Sequence, residues 1–261
     1  MKVATTDDAQ LHYEHAPRPG APALLLLNSL GTSLEMWDDQ VQVLQEHFEV
    51  VRYDVRGHGQ SSAGSRTELT LEQLARDALV VLDACEIARA HLCGLSLGGM
   101  TSMVIARHWP DRVLKTALSN TSPHMPPRES WDSRIQTART QGMSALTEGI
   151  LGRWFTAGFR SAEPERVERV RQMLLATNPA GYAACCAAVR DMDLREDIKD
   201  ITTTTLVIGG TKDPATPPAD AELIANSIPG AKLRMLEAAH LSNIEQAEEF
   251  TAALVEFLGT I

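Results

Sequence analysis

Cysteines are few in this chain and are not spaced as metal ligands. Its 261 residues include four, all in apolar segments and two of them adjacent: Cys85, Cys93, Cys185 and Cys186. Adjacent cysteines do not suit a simple disulfide framework, so we expect buried thiols in a reducing compartment. We therefore expect no metal site built on cysteine.

Basic residues and long apolar runs are also in short supply. Lys and Arg number 24 against 34 Asp and Glu, which leaves a net charge of −10. This balance argues against nucleic acid or an anionic membrane as a partner. The first residues hold no apolar run of the signal-peptide type, and no segment approaches the length of a membrane span. We expect a cytoplasmic protein; the sequence does not encode its oligomeric state in any pattern that we recognise.

The chain does contain a regular alternation of short apolar strands and amphipathic helices. A weaker hairpin is predicted over residues 2–15. Further strands are predicted at 23–28, 49–54, 90–93, 113–119, 203–209 and 231–236, and helices at 35–46, 70–87, 97–108, 218–227 and 247–258. This order predicts an α/β fold with a mostly parallel, twisted sheet flanked by helices.

The alternation is interrupted once, between Ser122 and Leu194. That stretch contains helical segments separated by prolines and glycines, and no strand pattern. It predicts a helical cap over residues 122–194, inserted into a core made of residues 1–121 and 195–261. The cap would cover one edge of the sheet.

The pattern Gly94-x-Ser96-x-Gly98 lies between a predicted strand and a predicted helix. This is the context of a nucleophile elbow, in which a tight turn presents a serine above the sheet edge and a helix N-terminus favours negative charge. A serine hydroxyl is a weak nucleophile, so it needs a base beside it and a group that orients the base.

His240 is the leading candidate for the base and Asp213 for the acid. His240 follows the last predicted strand, and Asp213 follows the strand before it. Both positions fall at the carboxyl edge of a parallel sheet, where Ser96 should also emerge. The other place for an acid, just before the cap, holds Ser119 and Asn120, which have no carboxylate. We therefore predict the catalytic residues Ser96, Asp213 and His240.

An oxyanion hole needs two backbone N–H groups aimed at the reacting oxygen. We predict Leu97, directly after the serine, and Leu30, in the loop that follows the first core strand. His58 lies in a glycine-rich turn and is predicted to shape the pocket wall rather than to react.

The chain resembles the α/β-hydrolase superfamily along its full length. The segments that carry this resemblance are Gly94-Leu95-Ser96-Leu97-Gly98-Gly99, Arg52-Tyr53-Asp54, Arg56-Gly57-His58-Gly59, Asp213 and His240. More narrowly, it resembles the 3-oxoadipate enol-lactonases in Leu27-Asn28-Ser29-Leu30-Gly31-Thr32, Met36-Trp37-Asp38, Ser119-Asn120-Thr121-Ser122, Trp131-Asp132-x-Arg134-Ile135, Ala188-Val189-Arg190-Asp191-x-Asp193-Leu194-Arg195 and His240-Leu241-Ser242-Asn243-Ile244-Glu245. Many superfamily members carry His-Gly at Asn28-Ser29, a departure that the enol-lactonases share.

This resemblance implies hydrolysis of 3-oxoadipate enol-lactone, a small anionic lactone, to 3-oxoadipate in bacterial catabolism of protocatechuate and catechol. It implies no metal and no organic cofactor. The unreacting carboxylate of that substrate calls for an arginine, and the cap offers Arg134, Arg139, Arg153 and Arg190. We favour Arg134, beside Trp131, with Arg190 second. Trp154 is a candidate for the pocket wall.

Two other functions fit the same residues. The first is a carboxylesterase or perhydrolase of this fold with a different acyl substrate. The second is a ligand-binding protein without catalysis, because a fold does not fix a function. A complete set of triad residues weighs against the second.

Overall fold

The computed structural model of the chain describes residues 2–259 and is built around an eight-stranded sheet. The strands are β1 (Lys2–Thr5), β2 (Gln10–Ala16), β3 (Ala23–Leu27), β4 (Glu49–Tyr53), β5 (Ala90–Leu95), β6 (Val113–Ser119), β7 (Thr205–Gly210) and β8 (Lys232–Leu236). Their order in the sheet is β1-β2-β4-β3-β5-β6-β7-β8. β1 and β2 pair antiparallel at one edge, and β4, β3, β5, β6, β7 and β8 run parallel.

Eleven α-helices within the described residues cover the sheet. They are α1 (Asp38–Leu44), α2 (Leu71–Ala84), α3 (Leu97–His108), α4 (Arg128–Gln141), α5 (Ser144–Trp154), α6 (Ala157–Ala162), α7 (Pro164–Ala176), α8 (Pro179–Asp191), α9 (Pro218–Ser227), α10 (Ser242–Glu245) and α11 (Ala247–Gly259). The α/β fold class is confirmed. The helix predicted from residue 35 begins as a 3₁₀ turn over Leu34–Trp37, and the short helix α10 has no counterpart among the predicted helices.

The central strands are continuous apolar runs because helices cover both of their faces. All five residues of β3 and all six of β5 are buried, as expected for parallel strands inside a sheet. β8, at the sheet edge, has three exposed residues at its start. The buried strands hold the carboxyl ends of β3, β5, β7 and β8 at one edge, where the loops of interest begin.

Helices α4 to α8 fill the segment between β6 and β7 that was predicted as the cap. Its two connections to the core lie side by side, with an antiparallel bridge between His124 and Asp193. α8 rests directly on the loop after β4: a Cβ atom at Gly181 would lie 2.5 Å from the Gly57 Cα. The Asn178 N–H also donates to the Gly57 carbonyl at 2.9 Å. The cap is thus packed against the core by backbone contact.

The four thiols are all free. Cys93, Cys185 and Cys186 are buried and Cys85 is half-buried, and burial raises the pKa of Cys85 to about 11. In residues 2–259 no helix is long and apolar enough to cross a membrane. That same range contains no cluster of His, Cys, Asp and Glu arranged to hold a metal ion.

Candidate active site

Ser96 occupies a strained turn between β5 and α3. Its φ of 57° lies in the left-handed region that non-glycine residues rarely adopt. Close backbone packing holds the turn in place: a Cβ at Gly94 would lie 2.1 Å from the Gly98 carbonyl oxygen, and one at Gly98 would lie 2.1 Å from the Leu27 carbonyl oxygen. Glycine is therefore required on both sides of the serine.

His240 and Asp213 are joined by a buried hydrogen bond. His240 Nδ1 lies 2.8 Å from Asp213 Oδ2, and the two side chains are 3% and 0% exposed. An imidazole bonded to a carboxylate through Nδ1 leaves Nε2 to act on a neighbouring group. The ring of Trp154 stacks on that of His240, with centroids 6.3 Å and planes 28° apart.

The Asp213 carboxylate is surrounded by donors. Its Oδ1 accepts from the N–H groups of Ala215 and Thr216 at 2.8 and 3.0 Å, and its Oδ2 accepts from Thr216 Oγ1 and Asn120 Nδ2 at 2.8 and 3.0 Å. Burial alone would raise the pKa of Asp213, but His240 and these donors outweigh it and lower the pKa to about 2. Asp213 is ionised, as a group that orients a histidine must be.

Asn120 and Thr216 were not predicted as site residues. Both had a sequence signal: Asn120 directly follows β6 at the edge where Asp213 and His240 emerge, and Thr216 stands three residues after Asp213, a spacing at which an aspartate side chain can accept from the backbone as it does at an N-cap. Asn120 was considered only as a position without a carboxylate. In the structure its backbone has a φ of 41°, and its side-chain amide donates to the Asp213 carboxylate.

The predicted oxyanion residues Leu30 and Leu97 line the same cavity as Ser96 and His240. Leu97 is the first residue of α3, so its N–H has no acceptor within the helix. Leu30 lies in the loop after β3, which also contributes Ser29 to the cavity wall. Among the residues that the structure describes, neither backbone N–H donates to another protein group. Both are available to an oxyanion.

The cavity has a volume of about 340 Å³ and lies between the sheet edge and the cap. From the core it is lined by Ser96, Leu97, Met100, Pro214, Thr216 and His240, and from the cap by Trp131, Arg134, Arg153, Trp154, Tyr182 and Val189. Its size suits a small organic molecule. Three of the four predicted substrate-binding residues, Trp131, Arg134 and Trp154, lie in its wall.

Two half-buried arginines give this cavity a positive wall. The Arg134 guanidinium lies over the Trp131 ring, 4.6 Å from its centroid. The pKa of Arg153 is lowered mainly by burial and, to a smaller extent, by the positive charge of Arg134. Within residues 2–259 neither guanidinium has an ion-pair distance to a carboxylate. Arg153 was one of the four cap arginines considered for the substrate carboxylate, and it was not favoured. Its position directly before Trp154 in the sequence could have indicated that it faces the cavity.

The structure does not bring Arg190 to the cavity. Its guanidinium binds Asp132, Glu68 and Asp191 at 2.9, 3.3 and 2.7 Å and does not line the cavity. Three carboxylates already satisfy this cation. The unfavoured Arg139 turns outward and donates to the Thr67 carbonyl at 2.8 Å.

His58 does not form the pocket wall either. It is fully buried one layer behind Tyr182, with ring centroids 6.5 Å apart, and its Nδ1 lies 2.8 Å from the Arg56 carbonyl oxygen. Burial lowers its pKa, so it is neutral near pH 7. Its contribution to the cavity is indirect, because it packs against a residue that lines it.

These features can be compared with known proteins. Residues 22–142 match the family model described as alpha/beta hydrolase fold. The chain is 37% identical over 250 residues to 3-oxoadipate enol-lactonase 2 of Acinetobacter baylyi, an alignment that covers 96% of this chain and 93% of that protein. The chain therefore belongs to the α/β-hydrolase family.

Solved structures agree with this assignment. The enol-lactonase from Burkholderia xenovorans LB400 superposes with a TM-score of 0.97 at 42% identity, covering 99% of this chain and 100% of that one. A hydrolase from Pseudomonas aeruginosa PA01 superposes with a TM-score of 0.95 at 45% identity, covering 99% and 98%. Full coverage on both sides means that the cap region is similar as well as the sheet.

Proposed function

We propose that the protein hydrolyses 3-oxoadipate enol-lactone to 3-oxoadipate by acyl transfer through Ser96. The observation that carries the proposal is one cavity that holds Ser96, His240 and two arginines, neither of which has a carboxylate partner among residues 2–259. A triad alone supports hydrolysis of many esters. The added positive wall supports a substrate that carries a negative charge away from its reacting carbonyl.

The first half of the reaction opens the lactone ring. His240 Nε2 accepts the Ser96 proton while Ser96 Oγ attacks the lactone carbonyl carbon. The N–H groups of Leu30 and Leu97 hold the resulting oxyanion. The tetrahedral intermediate collapses by breaking the bond to the ring oxygen, which leaves as an enolate on the same molecule and is protonated by His240. The enol then relaxes to the ketone.

The second half releases the product. His240, neutral again, accepts a proton from a water molecule, and the hydroxide attacks the acyl carbon on Ser96. Collapse of this intermediate breaks the bond to Ser96 Oγ, which takes back the proton from His240. Asp213 remains ionised throughout and stabilises the imidazolium that forms in each half. No metal or organic cofactor enters these steps.

Substrate selection is assigned to the cap. We place the unreacting carboxylate at Arg134 and Arg153, with Trp131 holding the Arg134 guanidinium from behind. Met100 and Trp154 supply apolar contacts for the ring. This role fits the enol-lactonase relatives, and it would put the protein in the bacterial breakdown of protocatechuate and catechol. A cytoplasmic location is part of the same proposal.

The decisive experiment follows the loss of enol-lactone ultraviolet absorbance with wild-type protein and with Ser96→Ala. We expect rapid loss with the wild type and at least a 1,000-fold lower kcat with the variant. A neutral chromogenic acetate ester serves as the comparison substrate. A kcat/KM for the lactone no higher than for the acetate would leave a general esterase. No Ser96-dependent turnover of either would leave a binding protein.

A further inference from the structure

The backbone N–H groups on both sides of His240 donate to acceptors outside the loop that carries it. The Ala239 N–H donates to Glu245 Oε2 at 2.9 Å, and the Ala239 carbonyl accepts from Asn120 Nδ2 at 3.1 Å. The Leu241 N–H donates to the Trp154 carbonyl at 3.1 Å. Each residue that flanks the candidate base is therefore fixed by a contact from elsewhere in the chain.

The Glu245 carboxylate also binds the cap. It accepts from the Thr156 N–H at 3.4 Å and from the Thr156 hydroxyl. Thr156 is the N-cap of α6, where its Oγ1 accepts from the Phe159 N–H at 3.2 Å. Glu245 thus bridges the loop that carries His240 and the start of a cap helix, two residues after the Trp154 ring that stacks on His240.

Glu245 is not the sole attachment of α10. Arg166, on cap helix α7, donates to the Ile244 carbonyl at 2.7 Å. The Asn243 side chain donates to the Met36 carbonyl at 2.8 Å. These contacts would keep α10 in place without the Glu245 carboxylate. The contacts that would be lost are those with Thr156 of the cap and with the Ala239 N–H, directly before His240.

We infer that Glu245 is a positioning residue for His240, acting through the Ala239 N–H and sharing its carboxylate with Thr156 of the cap. The inference rests on the proposed function, in which His240 is the base. It means that the cap does more than shape the cavity: it helps to set the position of the imidazole relative to Ser96. Misplacement of a catalytic group by about 1 Å can cost as much as 100-fold in rate.

The first test compares Glu245→Ala, Glu245→Gln and Glu249→Ala on the anionic lactone and on the neutral acetate ester. Reaction with a fluorophosphonate counts competent Ser96 sites, so that kcat is given per active site. We expect Glu245→Ala to lower kcat about tenfold or more on both substrates, with the KM of the neutral ester changed less than about twofold. Glu245→Gln should recover most of the rate because its amide oxygen still accepts from the Ala239 N–H.

Glu249→Ala is the matched control. Glu249 is exposed in the first turn of α11, so this variant removes the same charge from the same region without touching the Ala239 loop. We expect wild-type kinetics from it. A rate loss equal to that of Glu245→Ala would show a general charge effect and would overturn the inference.

A second pair of variants approaches the same contact from the cap. Thr156→Val removes the hydroxyl and keeps the shape, and Thr156→Ser keeps the hydroxyl. We expect a severalfold lower kcat for Val and nearly wild-type kcat for Ser. This pair decides the question if Glu245→Ala yields no folded protein.

The results separate this inference from the proposed function. Wild-type kcat per titrated site in Glu245→Ala, or a loss that Glu245→Gln does not recover, would overturn the inference and leave the lactonase proposal intact. Absence of Ser96-dependent hydrolysis in the wild type would overturn both.

Discussion

Arg190 and Arg153 of the cap have the same side chain but are surrounded by different groups. Arg190 is bound by three carboxylates, and its hydrogen bond with Asp191 is the largest of the effects that raise its pKa. Arg153 faces the cavity, and its pKa is lowered first by burial and then by Arg134. A half-buried cation without a counter-charge gains more from an incoming anion than a cation already paired.

We predict that Arg153→Met and Arg134→Met each raise the KM for the anionic lactone about tenfold or more, a loss of roughly 1.4 kcal/mol of binding free energy. The KM for a neutral acetate ester should change less than about twofold, because that substrate has no carboxylate. Steady-state kinetics on the two substrates measure this. Arg190→Met is the control of identical chemistry. Equal effects on both substrates would remove the two arginines from substrate binding.

At the scale of elements, the cap packs against the core so closely that the contact leaves no room for a side chain. Gly181, in the first turn of α8, packs on Gly57 after β4, and the Leu69 N–H donates to the Ala184 carbonyl in the same helix. α8 also carries Tyr182 and Val189 of the cavity wall. The position of one helix against one loop therefore sets part of the shape of the cavity.

We predict that Gly181→Ala displaces α8, because the new methyl group would lie 2.5 Å from the Gly57 Cα. The free energy of unfolding should fall by roughly 1–3 kcal/mol, and kcat/KM should fall about tenfold. Urea denaturation and steady-state kinetics measure the two effects. Gly158→Ala, in α6, is the control: apart from its chain neighbours and the backbone of its own helix, no atom of the described residues would lie within 4 Å of the new Cβ, so we expect unchanged or slightly higher stability. Identical behaviour of the two variants would contradict this packing.

At the scale of the whole molecule, a buried histidine couples stability to pH. His91, on β5, is 5% exposed and meets the Phe48 ring edge-on, with centroids 5.8 Å apart. Burial, and next the charge of Lys115, lower its pKa from 6.5 to about 4. At a pH between about 4 and 6.5, the unfolded chain therefore binds a proton at His91 more readily than the folded chain does.

We predict that stability is lost as the pH falls from 7.5 to 5, since a group with a depressed folded pKa favours the unfolded state once that state is protonated. The contribution of His91 should be about 1–2 kcal/mol over this interval. Urea denaturation at both pH values measures it, with His91→Gln as the comparison because its side chain does not titrate there. The same pH dependence in wild type and variant would rule out His91 as the cause.

The sequence by itself determined the fold class and the order of strands and helices, because alternation and burial of apolar residues are local properties. It also indicated Ser96, Asp213 and His240, since each lies at or shortly after the end of a strand and the parallel sheet places those ends at a common edge. Their catalytic roles stay predictions. So does the division of the chain into a core, residues 1–121 and 195–261, and a cap at 122–194.

Only the tertiary structure decided which polar side chains meet. Arg190 binds Glu68, 122 residues away in the chain, and Asn120 binds Asp213, 93 residues away. Periodicity carries no information about such pairs, so the sequence favoured Arg190 over Arg153, which lines the cavity, and passed over Asn120. Glu245 and Thr156 are 89 residues apart, and their contact depends on how the cap packs against the sheet.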